Sequence, residues 1–306
     1  MSPRITVVTP VHNRRADTLR CLRSVRRIDR TGFELDVIIV DDGSTDGTPE
    51  AVAADFPEVK IISGNGSLFY TAGTNLGFKE ALKNNPDYIL AINDDSIFDE
   101  KCVRLLVECA EKYPRSVVGA ILLLWNQPHK LFQTAPIWRT WLGGWRHWHH
   151  QTVWTIPQKP FSVDLIVGNC ILYPAQAIRE VGLMDEKFIQ YGDVEYTPRL
   201  RRSGWRLLIE PKARVFCKPN DQRTHLRQMS FGKMLKTLFT NNPSGYNLVH
   251  RFFSRMEGAP NRLAGLSAFF IFHLRWLFKR NYEANFALRQ KEIPLKETYR
   301  NRILSD

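Results

Sequence analysis

The first 112 residues alternate between short apolar runs and segments with helical spacing, and this alternation restricts the fold more than any other feature. The apolar runs lie at 5–10, 35–40, 59–63 and 88–92, and the helical segments lie near 46–54, 72–84 and 99–112. Strands separated by helices at this spacing form mostly parallel sheets with helices on both faces. The sequence therefore predicts an α/β fold with a doubly wound, mostly parallel sheet flanked by helices.

Two of the predicted strands run directly into acidic residues. Asp41 and Asp42 follow the run at 35–40, and Asn93, Asp94 and Asp95 follow the run at 88–92. Ligands of open α/β sheets bind outside the carboxyl ends of the strands, and paired carboxylates repel each other unless a cation lies between them. Oxygen ligands of this kind suit Mg²⁺ or Mn²⁺ shared with a substrate phosphate. Polar turns and helix caps give similar sequences, so the pattern alone leaves that interpretation open.

The composition is that of a soluble globular protein, with 43% apolar and 24% charged residues among 306. Its five cysteines are an odd number without a C-x-x-C pair, which favours reduced thiols and a cytoplasmic location over a disulfide framework. Neither a signal peptide nor a run of 18 apolar residues is visible, so we expect no membrane-spanning helix.

Positive charge is concentrated in the last third of the chain. Residues 1–211 hold 25 basic and 25 acidic side chains, whereas residues 212–306 hold 18 basic and 6 acidic ones. The segment 263–280 is apolar and aromatic between basic residues, which is typical of an interfacial helix on an anionic membrane. A helix packed on the rest of the chain, or on a second subunit of a homo-oligomer, would have the same pattern. We expect a membrane surface and not a nucleic acid as the anionic partner.

Residues 125–160 interrupt the alternation of strands and helices. Six of the eight tryptophans fall in this segment, beside His147, His149 and His150. Aromatic faces suit stacking on sugar rings, but the same residues could simply pack a core. A histidine metal cluster is a third interpretation, which no neighbouring cysteine or carboxylate spacing supports. Regular order is predicted again at 163–173, in helices at 175–181 and from Asp193 to Gly204, and in strands at 206–209 and 213–216.

Several short blocks together resemble the inverting glycosyltransferases of family 2, which have the GT-A fold. The blocks are VVTPVHNR (7–14), VDDGSTD (40–46), TAGTNLG (71–77), INDD (92–95), VGN (167–169), GLMDEKF (182–188) and GDVEY (192–196) followed by Arg199. They occur in the expected order over about residues 4–217. The segment 66–71 resembles rhamnosyltransferase-like members.

The resemblance implies a nucleotide-sugar site and a metal site. Positions that bind the donor nucleotide-sugar match Thr9, Pro10, Asp41 or Asp42, Asn75 and Asp94. Asn93-Asp94-Asp95 resembles the family's Asp-x-Asp motif, with Asp95 as the expected ligand of Mg²⁺ or Mn²⁺. The family often has a histidine where this chain has Cys217. A thiol suits a hard cation poorly, so His225 is the expected substitute.

The resemblance also implies a catalytic base and an acceptor side. Asp193 matches the base that ends the family's Glu-Asp pair, although Gly192 replaces the glutamate here. A carboxylate at this position can accept the proton of the attacking hydroxyl. Glu195, with Trp141 and Trp145 of the tryptophan-rich segment, is expected on the acceptor side.

Together these inferences predict a GT-A catalytic domain at 1–217, with the variable acceptor-side insert at 125–160, and a basic helical extension at 218–306. The expected activity is metal-dependent, inverting transfer of a sugar from a dTDP- or UDP-sugar to a glycan or lipid-linked glycan. The expected location is cytoplasmic, at the inner face of the cell membrane. A non-catalytic sugar-nucleotide-binding or scaffold protein and a nucleotidyltransferase are the alternatives. A nucleotidyltransferase should have a Gly-rich loop with basic residues near residue 10, and this chain has only Arg14 and Arg15 there.

Overall fold

The structure is a computed structural model that describes residues 2–132, 137–146, 148, 151–218, 229–240 and 247–277. In these ranges the strands are β1 (Arg4–Val11), β2 (Glu34–Asp41), β3 (Lys60–Ser63), β4 (Tyr88–Ile92), β5 (Ser96–Phe98), β6 (Ser116–Leu124), β7 (Gln127–Leu131), β8 (Ile137–Arg139), β9 (Gly144–Arg146), β10 (Phe161–Ser162), β11 (Cys170–Pro174) and β12 (Arg206–Cys217). The α-helices there are α1 (Arg15–Arg26), α2 (Thr48–Asp55), α3 (Phe69–Leu82), α4 (Cys102–Lys112), α5 (Ala175–Val181), α6 (Gly192–Arg202), α7 (Phe231–Phe239), α8 (Leu248–Gly258) and α9 (Arg262–Leu277), with a 3-10 turn at Thr140–Leu142.

One mixed sheet forms the centre of the described chain, with strand order β10-β12-β6-β11-β4-β1-β2-β3. Its longest pairings are parallel, namely β1 with β2 and β6 with β12. Strand β11 lies antiparallel between β4 and β6. The chain moves from β1 outward to β2 and β3 and then returns to place β4 on the other side of β1. This reversal is the topological switch point at which open α/β sheets bind ligands.

Apolar side chains cover both faces of the sheet, because successive residues of a strand point to opposite faces. On one face Val7 of β1 belongs to a core cluster with Leu22 of α1 and Leu106 of α4. On the other face Val8 belongs to a second cluster with Phe78 of α3. Helices therefore cover the sheet on both sides, and the predicted α/β class and doubly wound architecture are confirmed.

Two details differ from the predicted elements. The strands predicted at 206–209 and 213–216 form a single strand, β12, with a register shift between Glu210 and Arg214. At this irregularity the Glu210 carboxylate accepts a hydrogen bond from the backbone N–H of Lys212 at 3.0 Å, and this contact stabilises the irregular backbone. The order predicted at 163–173 is limited to β11, and the segment before it contributes its backbone to the cavity described below.

The helices predicted for the C-terminal segment pack against the tryptophan-rich segment. Gly143 has a φ of 85°, and a Cβ there would lie 2.7 Å from the Cα of Phe272 in α9. A Cβ on Gly258 of α8 would lie 2.8 Å from the indole nitrogen of Trp145. These two glycines let the backbone approach closely, so α8 and α9 are docked on the β8–β9 hairpin and the turn between its strands.

Candidate active site

A cavity of about 540 Å³ opens at the carboxyl ends of the strands around the switch point. Strands β1, β2 and β4 each end at this cavity, and so does the segment before α6. Its lining residues are Pro10, Val11, His12, Arg14, Asp42, Gly66, Phe69, Tyr70, Asn93, Asp94, Asp95, Val167, Gly168, Asn169, Gln190, Tyr191 and Asp193. The structure thus brings Pro10, Asp42, Asp94, Asp95 and Asp193, which the sequence singled out, to one cavity.

The guanidinium of Arg14 forms ion pairs with both Asp94 and Asp95. Nη1 of Arg14 lies 2.9 Å from Oδ1 of Asp94, and Nη2 lies 2.9 Å from Oδ2 of Asp95. Burial raises the pKa of Asp94 to about 6, an effect that the nearby guanidinium opposes and the charge of Asp95 reinforces. Sequence reasoning missed Arg14, although it follows the end of β1 next to the strand that carries the two carboxylates.

The residues around this pair suit a hard divalent cation. Asn93 lines the cavity, and its side-chain Oδ1 is buried without a hydrogen-bond partner in the described part of the chain. Within that part, no three histidine, cysteine or acidic side chains converge as a complete metal cluster. Mg²⁺ and Mn²⁺ sites commonly use one or two carboxylates and complete the coordination with water and substrate phosphates. Asp94, Asp95 and Asn93 therefore fit such an ion together with a diphosphate.

The remaining ligand predicted from the sequence, His225, lies outside the described residues. Cys217 ends β12 close to this region, where Nδ2 of Asn169 donates a hydrogen bond to its Sγ at 3.3 Å. Burial raises the pKa of the Cys217 thiol to about 12, so the thiolate form that binds metals is disfavoured.

Asp193 is in the first turn of α6, buried and facing the cavity. Its Oδ2 accepts a hydrogen bond from the backbone N–H of Gly168 at 2.9 Å. Burial raises the pKa of Asp193 to about 6, and hydrogen bonds from backbone N–H groups limit the rise. A Cβ on Gly168 would lie 2.7 Å from the Tyr70 hydroxyl and 3.2 Å from Cγ of Asp193, so the tight packing requires glycine there.

Gly192, which replaces the family's glutamate, is also required by close packing. A Cβ at this position would lie 2.8 Å from both Oγ1 and Cγ2 of Thr71 and 2.9 Å from Sδ of Met184. The Gly192 backbone N–H donates to the Thr71 hydroxyl at 3.2 Å, and that hydroxyl donates to the Phe188 carbonyl. The departure from the Glu-Asp pair is therefore built into the local packing and leaves Asp193 in the cavity.

The two aspartates at the end of β2 have different partners. Both oxygens of Asp42 accept backbone hydrogen bonds, from Gly66 N at 2.8 Å, Leu68 N at 2.9 Å and Phe69 N at 3.0 Å. Asp41 accepts one bond, from Ser44 N at 3.2 Å, and its buried Oδ1 has no partner in the described chain. Asp42 thus positions a loop at the cavity, whereas Asp41 lies outside the cavity lining.

The loop that Asp42 holds presents an aromatic ring to the cavity. Phe69 lines the cavity, is 41% exposed, and has a φ of 55°, which is rare for a bulky residue. The backbone N–H bond to Asp42 helps to maintain this conformation. Sequence reasoning did not select Phe69, and the Gly64-Asn65-Gly66 turn before it was the available signal for an unusual loop.

Besides Asp41, three predicted contact residues lie outside the cavity lining, and each has a structural reason. Thr9 is buried inside β1. Nδ2 of Asn75 donates to the Met184 carbonyl at 2.9 Å, and its Oδ1 accepts from Met184 N at 3.0 Å, so the predicted donor contact is replaced by support of a loop. Glu195, predicted on the acceptor side, is buried in an ion pair with Arg199 and does not line the cavity.

The tryptophans expected on the acceptor side, Trp141 and Trp145, also lie outside the cavity lining. Trp145 packs edge-on against Trp138, with ring centroids 5.0 Å apart, and against Gly258. Trp141 is 67% exposed on the 3-10 turn, and neither ring lines the cavity. Trp148 stacks on Phe161 with the ring planes 11° apart. Packing is therefore the main role of the described tryptophans in this segment, whereas His147, His149 and His150 lie outside the described residues.

Among the helices that the structure describes, none has the length and apolar character needed to cross a membrane.

Comparison with known proteins identifies relatives by sequence. The model of Glycosyl transferase family 2 matches residues 6–181. N-acetylglucosaminyl-diphospho-decaprenol L-rhamnosyltransferase of Mycobacterium tuberculosis is 27% identical over 203 residues, which is 58% of this chain and 65% of that relative. The alignment thus spans less than two thirds of the relative's length. Succinoglycan biosynthesis protein ExoA of Rhizobium meliloti is 26% identical over 240 residues, which is 74% of this chain and 66% of the relative.

Solved structures share the fold at low sequence identity. A crystal structure of GalNAc-T7 with UDP, GalNAc and Mn²⁺ superposes with a TM-score of 0.60 at 13% identity, over 93% of this chain and 57% of that one. Residues 1–349 of S. aureus TarS superpose with a TM-score of 0.55 at 15% identity, over 94% and 75% of the two chains. Because the family model matches more than half of the residues, this chain belongs to glycosyltransferase family 2, and its structure has the GT-A fold.

Proposed function

We propose that this protein is an inverting glycosyltransferase that moves a sugar from a nucleoside-diphosphate sugar to a hydroxyl of a glycan or lipid-linked glycan. The observation that carries the proposal is that Asp193 and the Asp94–Asp95 pair line the same cavity. A base and a binding place for a charged diphosphate are the two groups that a one-step displacement at the sugar carbon needs.

Asp193 is the proposed general base. The raised pKa of about 6 leaves its carboxylate ionised at neutral pH but basic enough to accept a proton from an acceptor hydroxyl. The Gly168 N–H fixes Oδ2, so the carboxylate keeps its orientation while it accepts the proton. Attack from the side of the base, with departure of the nucleoside diphosphate on the other side, inverts the configuration at the sugar carbon.

We propose that the diphosphate of the donor binds next to the Asp94–Asp95 pair, through a divalent cation. Asp94 and Asp95, with Asn93, would hold a Mg²⁺ or Mn²⁺ ion, which would neutralise the negative charge that develops on the departing diphosphate. Asp42, in the same lining, holds the loop before α3 through its backbone hydrogen bonds and would position that loop beside the nucleotide. Phe69 offers an apolar surface in the same cavity.

The name of the M. tuberculosis relative supports a narrower proposal about substrates. That protein is named as a transferase of L-rhamnose to a lipid-linked sugar, and the ExoA relative is named for succinoglycan biosynthesis. We therefore propose an acceptor on the route to a surface polysaccharide. A dTDP- or UDP-sugar is the proposed donor, as the family resemblance implies.

The proposed partner of the C-terminal helices is an anionic membrane. Of the eleven exposed large apolar side chains in the described chain, nine lie on α7, α8 and α9. On α7, Phe231, Leu235 and Phe239 recur every four residues and form one face, while Lys233 and Lys236 are exposed beside them. An apolar face with exposed lysines is typical of a helix that lies in the headgroup region.

Nucleotide binding and transfer test the activity. We expect UDP or dTDP to raise the melting temperature of the full chain in the presence of Mn²⁺ more than in its absence, since a ligand stabilises the native state that binds it. The donor is then identified from the rate of sugar transfer to a lipid-linked acceptor, measured with dTDP-rhamnose and with UDP-sugars. The rate of donor hydrolysis without acceptor is subtracted in each case. No stabilisation by any nucleoside diphosphate would contradict the enzyme proposal and favour a scaffold protein.

Sedimentation with vesicles tests the membrane proposal separately. Phosphatidylglycerol vesicles should sediment the wild-type protein, and Leu235→Asp should weaken this association because it places a charge on the apolar face of α7. Phosphatidylcholine vesicles are the control for charge. Equal sedimentation of both proteins with both vesicles would contradict a role for α7 in the association.

A further inference from the structure

Arg14 already occupies the cation position between the two carboxylates of the proposed metal site. Its two terminal nitrogens each lie 2.9 Å from a different carboxylate, one of Asp94 and one of Asp95. The side chain of Asp94 is 7% exposed and that of Asp95 is 15% exposed, so water compensates their mutual repulsion poorly. Without a second cation, the guanidinium is the group that makes this arrangement of two carboxylates favourable.

The same guanidinium is more exposed than the carboxylates that it pairs with. The Arg14 side chain is 42% exposed and borders the cavity, whereas Asp94 is buried and Asp95 is largely covered at the end of β4. Arg14 follows β1 and precedes α1, so its backbone is placed by both elements, while its long side chain has several rotamers available. A planar guanidinium binds phosphate oxygens in the same bidentate way as carboxylates.

We propose that Arg14 is an internal counter-cation that the donor exchanges for the metal ion. In the donor-free protein it pairs with Asp94 and Asp95 and disfavours binding of a divalent cation alone. When the nucleotide arrives with the cation, the guanidinium moves to the diphosphate and leaves the carboxylates to the ion. This inference rests on the proposed donor and metal sites and adds an order of binding to them.

The exchange makes a thermodynamic prediction. If Arg14 opposes the cation in the free protein and binds the diphosphate in the loaded one, then nucleotide and cation must each raise the affinity for the other. Removing Arg14 should strengthen cation binding in the absence of nucleotide. It should also reduce the factor by which the nucleotide raises the affinity for the cation. A residue that only stabilised the fold would weaken both binding events together.

The experiment measures Mn²⁺ affinity from the electron paramagnetic resonance signal of free Mn²⁺, with and without UDP or dTDP. The variants are Arg14→Met, which removes the charge, and Arg14→Lys, which cannot bridge two carboxylates bidentately. Arg15→Met is the matched control, because Arg15 is the next residue and lies outside the cavity lining. Melting temperatures of all variants are measured in the same buffer.

We expect Arg14→Met to bind Mn²⁺ alone about tenfold more tightly than the wild type, the equivalent of losing two partly exposed ion pairs. The factor by which the nucleotide improves Mn²⁺ binding should fall by a similar amount, with Arg14→Lys between the two and Arg15→Met unchanged. Unchanged or weaker Mn²⁺ binding by a folded Arg14→Met would overturn the proposal. If that variant does not fold, a wild-type coupling factor in Arg14→Lys overturns it instead. Failure of every variant, the wild type included, to bind a nucleoside diphosphate would count against the proposed function and not against the role of Arg14.

Discussion

Replacement of Asp193 by asparagine should abolish transfer and at the same time stabilise the fold. Burial raises the pKa of this carboxyl from 3.8 to about 6, and one pKa unit corresponds to about 1.4 kcal/mol. The ionised carboxylate therefore costs the folded state about 3 kcal/mol above pH 6. An asparagine oxygen can still accept the Gly168 N–H bond, while its NH₂ group faces the cavity. We expect the variant to recover much of this cost.

The pH dependence gives the prediction its sign. The pKa of Asp193 is higher in the folded state than in the unfolded state. The ionised carboxylate therefore lowers the free energy of unfolding of the wild type fully above about pH 6 and not at all below about pH 4. The stability advantage of Asp193→Asn should therefore appear as the pH rises between these values and stay constant above them. Urea unfolding at pH 4, 5, 7 and 8 measures it, with the exposed Asp55→Asn as a control that should change little.

Activity of the wild type should follow the same carboxylate. A general base must be ionised, so the rate of transfer should rise with pH and level off above about pH 6. Two results would refute the reasoning about Asp193. One is a variant that is less stable than the wild type at pH 8 as well as at pH 4. The other is a variant that retains more than about a hundredth of the transfer rate, since general-base catalysis contributes about 10²–10⁴-fold.

Three further substitutions test the packing around the cavity. Gly192→Ala should cost about 1–3 kcal/mol of unfolding free energy because its Cβ would lie 2.8 Å from Thr71, whereas Gly232→Ala, with nothing within 4 Å, should cost nothing by urea unfolding. Asp42→Asn should weaken nucleotide binding measured by calorimetry, because an amide NH₂ cannot accept the backbone bonds that hold the loop before α3. Asn75→Ala should lower the unfolding free energy by about 2 kcal/mol or more, since two buried backbone groups lose their partner, and an unchanged value would contradict the supporting role of Asn75.

The parts of the site that follow from strand ends were predictable from the sequence. Parallel strands end at one edge of a sheet, so Asp94 and Asp95 after β4 had to lie near the residues after β1. The same rule, applied to β1 itself, would have placed Arg14 beside them. The rule does not consider charge balance. Two adjacent carboxylates that are mostly shielded from water are favourable only with a cation nearby, from the chain or from a ligand.

The residues that turned inward could not be assigned from their chemistry alone. Asn75 and Glu195 have side chains suited to a ligand, but the loop at 183–186 has backbone groups that need buried partners, and these two side chains satisfy some of them. The packing of Trp145 on Gly258 joins residues more than a hundred positions apart, a distance at which local sequence patterns carry no information. A polar or aromatic residue near a site is therefore a weak indicator of contact unless a strand end or helix start directs it there.

The two departures from the family pattern have different physical meanings. At Gly192 the space that a glutamate would need is filled by Thr71, whose hydroxyl joins the start of α6 to the Phe188 carbonyl. A glutamate at this position would therefore require a different packing of the loop before α6, and its absence does not displace the base. Cys217, by contrast, places a neutral, buried thiol near the proposed metal site, where the family often has a histidine. At the same edge of the sheet, the positive charge of Arg14 pairs with Asp94 and Asp95. In the proposed exchange, the affinity of the site for the divalent cation then depends on whether a donor diphosphate is present to bind this guanidinium instead.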